Sequence, residues 1–305
     1  MQSNYPRNLI GYGENPPNPK WPNNAKIAVS FVLNYEEGGE RCLLHGDNES
    51  EAFLSEMPGA QPLAGKRNLS MESCYEYGSR AGVWRLLRLF EKHQIPLTIF
   101  AVAMAVERHP EVAQAMVAAG HEICSHGYRW IDYQDSSEQE EQSHLNKAVE
   151  IIERVTGSRP LGWYTGRNGP FTRQTVMQEG GFLYDSDAYD DDLPYWIDNE
   201  GKGHLVIPYT LDVNDMRFAT AQGFNSGEQF YQYLKDSFDT LYEEGAHAPK
   251  MLSIGLHCRL AGRPGRIAAL ARFIEYVKSH SDVWLTRRVD IAKHWHQHHP
   301  YDKNA

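Results

Sequence analysis

Short, continuously apolar runs alternate with amphipathic stretches along most of the chain. The run Lys26–Asn34 (KIAVSFVLN) has no polar alternation, the pattern of a strand buried on both faces. "PLTIFAVA" (Pro96–Ala103), "HEICSH" and "KMLSIGLH" (Lys250–His257) repeat it. Weaker strand signals lie at Leu161–Tyr164, Phe182–Ser186, His204–Tyr209 and Val283–Thr286.

The intervening stretches carry helical signals. One helix is predicted from about Tyr77 to His93. "HPEVAQAMVAAG" places a proline at its first turn and a glycine at its end. "SSEQEEQSHLNKAVEIIERVTG" is the clearest helix. Ser136 or Ser137 stands as N-cap, acidic residues fill the first turn, and Gly157 terminates it. Its apolar positions Leu145, Ala148, Val149, Ile152 and Val155 share one face. Two further helices cover roughly 225–244 and 266–279. Residues 1–25, rich in Pro, Asn and Gly, read as an arm over the surface. The polar stretch 40–73 is too long for a connector and predicts a functional loop or an oligomer contact.

Uninterrupted β–α alternation predicts one α/β domain over 1–305 with a mostly parallel sheet, doubly wound or closed into a barrel. Either arrangement gathers functional groups at the carboxyl ends of the strands. The polar residues after the apolar runs fit that rule: Glu36–Glu37, Ser125–His126, Asp212–Asp215 and His257 are expected around one mouth.

Composition narrows the partners. A formal charge of −10 argues against nucleic acid or an anionic membrane surface, and no window approaches a membrane span. Four scattered cysteines without a CxxC pair, and an opening without an apolar leader, predict reduced thiols and a cytoplasmic location.

Adjacent carboxylates at a strand end cannot both face the mouth, so Glu36 or Glu37 is the candidate general base on water, with Gly38–Gly39 allowing a tight turn beneath a ligand. His126 stands four residues before Trp130. A second histidine there would complete a metal-binding pair, but an indole nitrogen only donates. Trp130 is therefore read as a flat wall for a planar ligand. His257 is a candidate general acid or oxyanion donor, oriented by Asp212 or Asp215. Tyr164 and Arg167, in "GWYTGRNGPF", suit substrate carbonyls. The acidic run Asp185–Asp192 lacks calcium-loop spacing and reads as a solvated turn, and the His-rich "KHWHQHHPY" as a helix end complementing its dipole.

Over roughly residues 26–290 this set resembles the polysaccharide deacetylase family, with its NodB-type distorted (β/α) barrel. "NYEEGG" stands where that family has a Thr-Phe-Asp-Asp-Gly motif, which puts Glu36 at the catalytic-base position and Glu37 at the first metal-ligand position. "HGYRW" keeps one histidine of a His-Ser/Thr-x-x-His motif and has Trp130 at the other. Tyr164 stands in the arginine loop, "DVNDM" at the aspartate motif and Leu256–His257 at the terminal motif. The strings "YPRNLIGYG", "FVLNYEEGGER", "GHEICSHGYRWIDY", "GWYTGR" and "MLSIGLHCRL" resemble the metal-independent allantoinase branch of that family. The resemblance implies opening of the hydantoin ring of allantoin in purine catabolism by a homotetramer without cofactor or metal. Glu36, Glu37 and His257 would be catalytic, with His126, Trp130, Tyr164, Arg167 and Asp212 around the substrate. The alternatives are a cyclic imide hydrolase, a metal-dependent carbohydrate deacetylase, and an inactive ring-binding protein.

Overall fold

The computed structural model describes Tyr5 and residues 7–303. Its strands are β1 (Ile27–Tyr35), β2 (Leu97–Ala101), β3 (Glu122–Ser125), β4 (Gly162–Trp163), β5 (Tyr184–Asp185), β6 (Tyr195–Asn199), β7 (Lys202–Val206), β8 (Lys250–His257) and β9 (Val283–Leu285). The helices are α1 (Leu69–Tyr77), α2 (Val83–His93), α3 (Ala103–Arg108), α4 (Pro110–Ala118), α5 (Glu138–Thr156), α6 (Thr172–Glu179), α7 (Gly227–Glu244), α8 (Pro264–Lys278) and α9 (Arg288–His298).

One curled sheet of order β6-β7-β5-β4-β3-β2-β1-β8 forms a half-barrel, parallel except for the β6–β7 hairpin. β1 is its axis. One edge pairs with β8 over its length, and the other with β9 at Ile27–Val29 and with β2 from Phe31.

The two-residue period of β1 divides the core. Ile27, Val29, Phe31, Leu33 and Tyr35 belong to the apolar layer that includes Phe90, Phe238 and Phe273 of the surrounding helices. Ala28 and Val32 belong to a second cluster, within the curl, with Phe100, Tyr164 and Tyr209. Ser30 and Arg288, both inside the curl, are satisfied by protein. Ser30 meets Ser253 at 3.2 Å, and the fully buried Arg288 donates to Ser253, Ser186 and the carbonyl of Pro208.

Register then assembles the site. Asn34 lies opposite His257, Tyr35 opposite Ala101, Ala101 opposite Ser125, and Ser125 opposite Trp163. The next residues, Glu36, His126 and Tyr164, therefore emerge at one rim beside His257.

Several expectations shift. The helix predicted from Tyr77 begins at Leu69, because the Asn68 side chain accepts from Met71 N–H and caps it there. It reaches α2 through a π-helical turn at Gly78–Gly82, a local widening of the kind that often lies beside functional sites. The hairpin strand β6 and the short helices α3 and α6 are additions to the sequence reading. The run Asp185–Asp192 is not a solvated turn along its whole length. Asp185 is buried against Arg173 and His204, and Asp187 accepts the N–H groups of Thr165 and Gly166, pinning the loop after β4.

The π turn also explains two glycines. A Cβ on Gly82 would collide with the carbonyl oxygen of Cys258, and one on Gly262 with both that oxygen and Gly82 itself. This backbone approach presses α2 against the segment between His257 and Arg259. Gly82→Ala is expected to cost about 1–3 kcal/mol of stability. Thermal unfolding checks it, and an unchanged melting temperature would contradict the packing described.

Candidate active site

Glu36 continues the inward parity of β1 and is 1 % exposed. Its Oε1 lies 3.4 Å from Nε2 of His126 and 3.4 Å from Nε2 of His257. Its Oε2 lies 2.7 Å from an amino nitrogen of Arg259. Glu37 turns the other way. It packs so tightly on the π turn that a Cβ on Gly78 would strike its carboxylate, while Oε2 accepts the N–H of Glu36 at 3.1 Å.

His257 is held from behind. Asp215 Oδ1 lies 2.6 Å from its Nδ1, and Oδ2 accepts the backbone N–H groups of His257 (2.7 Å) and Ala261 (2.9 Å). With one carboxylate at each ring nitrogen, the imidazole favours the doubly protonated form.

These contacts set the charge states. Burial pushes the Glu36 carboxyl up, but the Arg259 guanidinium and His257 outweigh it and hold the group well below the ordinary carboxylate range. Glu37 goes the opposite way, raised by burial and by the charge of Glu36 despite Arg259. Burial lowers His257, yet Glu36 and Asp215 together carry it up to about 9. At neutral pH the site thus holds an ionised carboxylate facing an imidazolium, the states required of a base on water and an acid for a leaving group.

A layer of side chains closes over this pair. Trp130, with its backbone N–H donating to the carbonyl of Gly39 at 2.9 Å, has its ring nearly parallel to that of Phe53 at 6.0 Å between ring centres. Two guanidinium groups lie against the indole, Arg167 at 4.8 Å and Arg259 at 5.2 Å. Arg167 stands 3.5 Å from Glu51, and Arg259 Nε donates to the carbonyl of Leu54 at 2.6 Å, so both arginines fasten the segment 51–54. The Tyr164 ring stacks on Phe100 at 4.5 Å and leans on His126 at 4.9 Å, while its hydroxyl meets that of Tyr189.

Several buried polar atoms in this layer have no aligned hydrogen-bond partner: Glu36 Oε2, Glu37 Oε1, Glu51 Oε2, His126 Nδ1, Arg167 Nη1 and both amino groups of Arg259. The Arg259–Glu36 approach of 2.7 Å is an ion pair lying off the line of a hydrogen bond. Concentrated at one spot, unmet donors and acceptors mark a surface for a polar ligand.

Glu36, Glu37, His126, Trp130, Tyr164, Arg167 and His257 thus converge. Asp212 does not: it is exposed, and its carboxylate accepts the Tyr233 hydroxyl at 3.2 Å. Asp215, three residues further on the 3-10 turn Asp215–Phe218, is the buried partner of His257. Arg259 and the covering residues Glu51, Phe53 and Leu54, here called the lid, have no role in the sequence pattern. Arg259 lies past the end of β8, in a turn where Leu260 and Ala261 donate to the His257 carbonyl, so strand parity does not mark it. The lid residues sit far away in the chain within an irregular segment, and no periodicity marks them.

A catalytic metal of the kind the resemblance associates with Glu37 and His126 does not fit these residues. The indole of Trp130 supplies no lone pair, and a guanidinium already lies 2.7 Å from Glu36 and 3.5 Å from Glu37. Among the described residues no group of three His, Cys, Asp or Glu side chains is placed to hold a metal ion.

Comparison with known proteins agrees with the fold. Residues 66–182 match the polysaccharide deacetylase domain family. A Schizosaccharomyces pombe protein assigned to the polysaccharide deacetylases is 48 % identical over 97 % of this chain and 98 % of its own. The crystal structure of Puue allantoinase is 72 % identical, with a TM-score of 0.97 over 98 % of this chain and 100 % of that one. A structure of a probable polysaccharide deacetylase from Pseudomonas aeruginosa PAO1 is 71 % identical, with a TM-score of 0.96 over the same shares.

Proposed function

The chain belongs to the polysaccharide deacetylase family of hydrolases, and from that premise we propose that it opens the hydantoin ring of allantoin to give allantoate. The observation that carries this reading is the Glu36–His257 pair, an ionised base 3.4 Å from a protonated acid that Asp215 fixes in place. The substrate is suggested by the likeness to Puue allantoinase.

In this reading Glu36 takes a proton from water as the oxygen attacks the ring carbonyl beside the nitrogen flanked by two carbonyls. The tetrahedral intermediate then collapses and the C–N bond breaks. Its electron pair goes to that nitrogen, which receives the proton of His257. Glu36 returns its proton to His257 after product leaves. A nitrogen between two carbonyls delocalises its charge, so it departs more readily than the amine of an acetylated sugar. Trp130, His126 and Tyr164 bound the ring. A homotetramer in the cytoplasm completes the proposal.

The test is turnover of a panel: allantoin, hydantoin, succinimide and an N-acetylglucosamine oligomer. Allantoin is expected to be cleaved fastest, with one allantoate formed per ring lost. Acetate release from the oligomer with allantoin left intact would replace this reading by carbohydrate deacetylation. Preference for succinimide would make the protein an imide hydrolase.

A further inference from the structure

We infer that Arg259 is the built-in cation of the reaction, its guanidinium donating to the carbonyl oxygen under attack and receiving the charge that develops there. The inference rests on the proposed amide hydrolysis and adds the electrophile which that reading lacks.

Four observations converge. Arg259 is 1 % exposed, and its guanidinium lies between the two carboxylates, 2.7 Å from Glu36 and 3.5 Å from Glu37. Its position is fixed, with Nε donating to the carbonyl of Leu54 at 2.6 Å and Cζ over the rings of Tyr75 and Trp130, 4.2 Å and 5.2 Å from their centres. The two amino groups, held beside the base, have no aligned acceptor. A buried arginine normally aims its outer N–H groups at acceptors, so the N–H directions that the ion pairs with Glu36 and Glu37 leave unaligned are open to a ligand oxygen.

Chemistry favours the same assignment. When hydroxide adds to an amide carbon, the negative charge appears on the carbonyl oxygen, and a preorganised donor there stabilises the transition state more than the ground state. Arginine stays protonated even when desolvated, and it offers two parallel donors where lysine offers a point charge. Trp130, at the position where the resemblance expects a metal-binding histidine, provides the face on which this guanidinium rests. The indole and the arginine thus form one unit, cation and platform, in the place of an ion and its ligand.

The experiment compares metal-stripped wild type, Arg259→Lys and Arg259→Ala on whichever member of the amide panel the wild type cleaves. Circular dichroism melts identify the folded variants. Arg259→Ala should lose about 10²–10³-fold in kcat with KM changed only a few-fold, as for removal of an oxyanion donor. Arg259→Lys should keep an intermediate rate. Millimolar guanidinium should raise Arg259→Ala at least about tenfold while equal KCl does nothing, a response that a purely structural role would not give.

A kcat within about threefold of wild type in Arg259→Ala would overturn the inference and leave ring hydrolysis standing. A folded variant whose loss responds to neither lysine nor guanidinium would overturn it too. Cleavage of another amide instead of allantoin changes the substrate but still decides the role of Arg259. No cleavage of any panel member would sink both proposals.

Discussion

Glu36→Gln is expected to lower kcat about 10³-fold while the protein stays folded and still binds substrate. Glutamine keeps the shape but only one acceptor oxygen, which can face either His126 and His257 or Arg259. What disappears is basicity. Charge also disappears, because Glu36 helps to keep His257 protonated. One substitution therefore removes the acceptor of the water proton and weakens the donor for the leaving nitrogen. Steady-state kinetics with product quantification makes the measurement. A rate within about tenfold of wild type would transfer the base to another group. Glu37 is the obvious candidate, though it packs on the π turn and burial favours its neutral form.

The second large effect is the pH profile. In the proposed reaction His257 serves as the acid and must be protonated, and its ionisation is carried up to about 9 by Glu36 and Asp215. Activity should therefore persist through neutrality and fall as pH rises through about 9. Glu36 must be ionised, and Arg259 with His257 hold it well below the usual carboxylate range, so the acid limb should lie below that range. Asp215→Asn removes one of the two anions at the imidazole and is expected to move the alkaline limb to lower pH. His257→Asn should lose about 10²–10⁴-fold and lack that limb altogether. A limb near 9 that persists in His257→Asn would assign it to a different group.

Much of this site is legible in the amino-acid sequence, because strand ends announce themselves. Apolar runs that stop at Glu36, His126 and His257 fix which side chains reach the rim, and parallel register puts them side by side. The resemblance supplied the roles of Glu36 and Glu37, and the two-residue parity of β1 accounts for their opposite directions. Asp212 was the weaker choice between two acidic residues three apart. A 3-10 turn buries only Asp215, and neither helical nor strand periodicity applies to so short a piece. The lid stayed invisible for a related reason: Glu51, Phe53 and Leu54 lie in irregular chain, where a single backbone carbonyl and a single stacked ring decide position. Arg259 was overlooked because a charged residue after a buried strand usually reaches solvent, whereas here two carboxylates and two aromatic faces keep it inside.

In the proposed reaction an ionised carboxylate, an imidazolium and a resident guanidinium suffice for ring opening. Its most direct test is allantoin turnover after exhaustive chelation, with metal content measured on the same sample. An undiminished rate is expected at far less than one metal per chain, with no gain on adding zinc, cobalt or manganese. Loss of turnover on chelation, restored by one equivalent of such an ion, would contradict it.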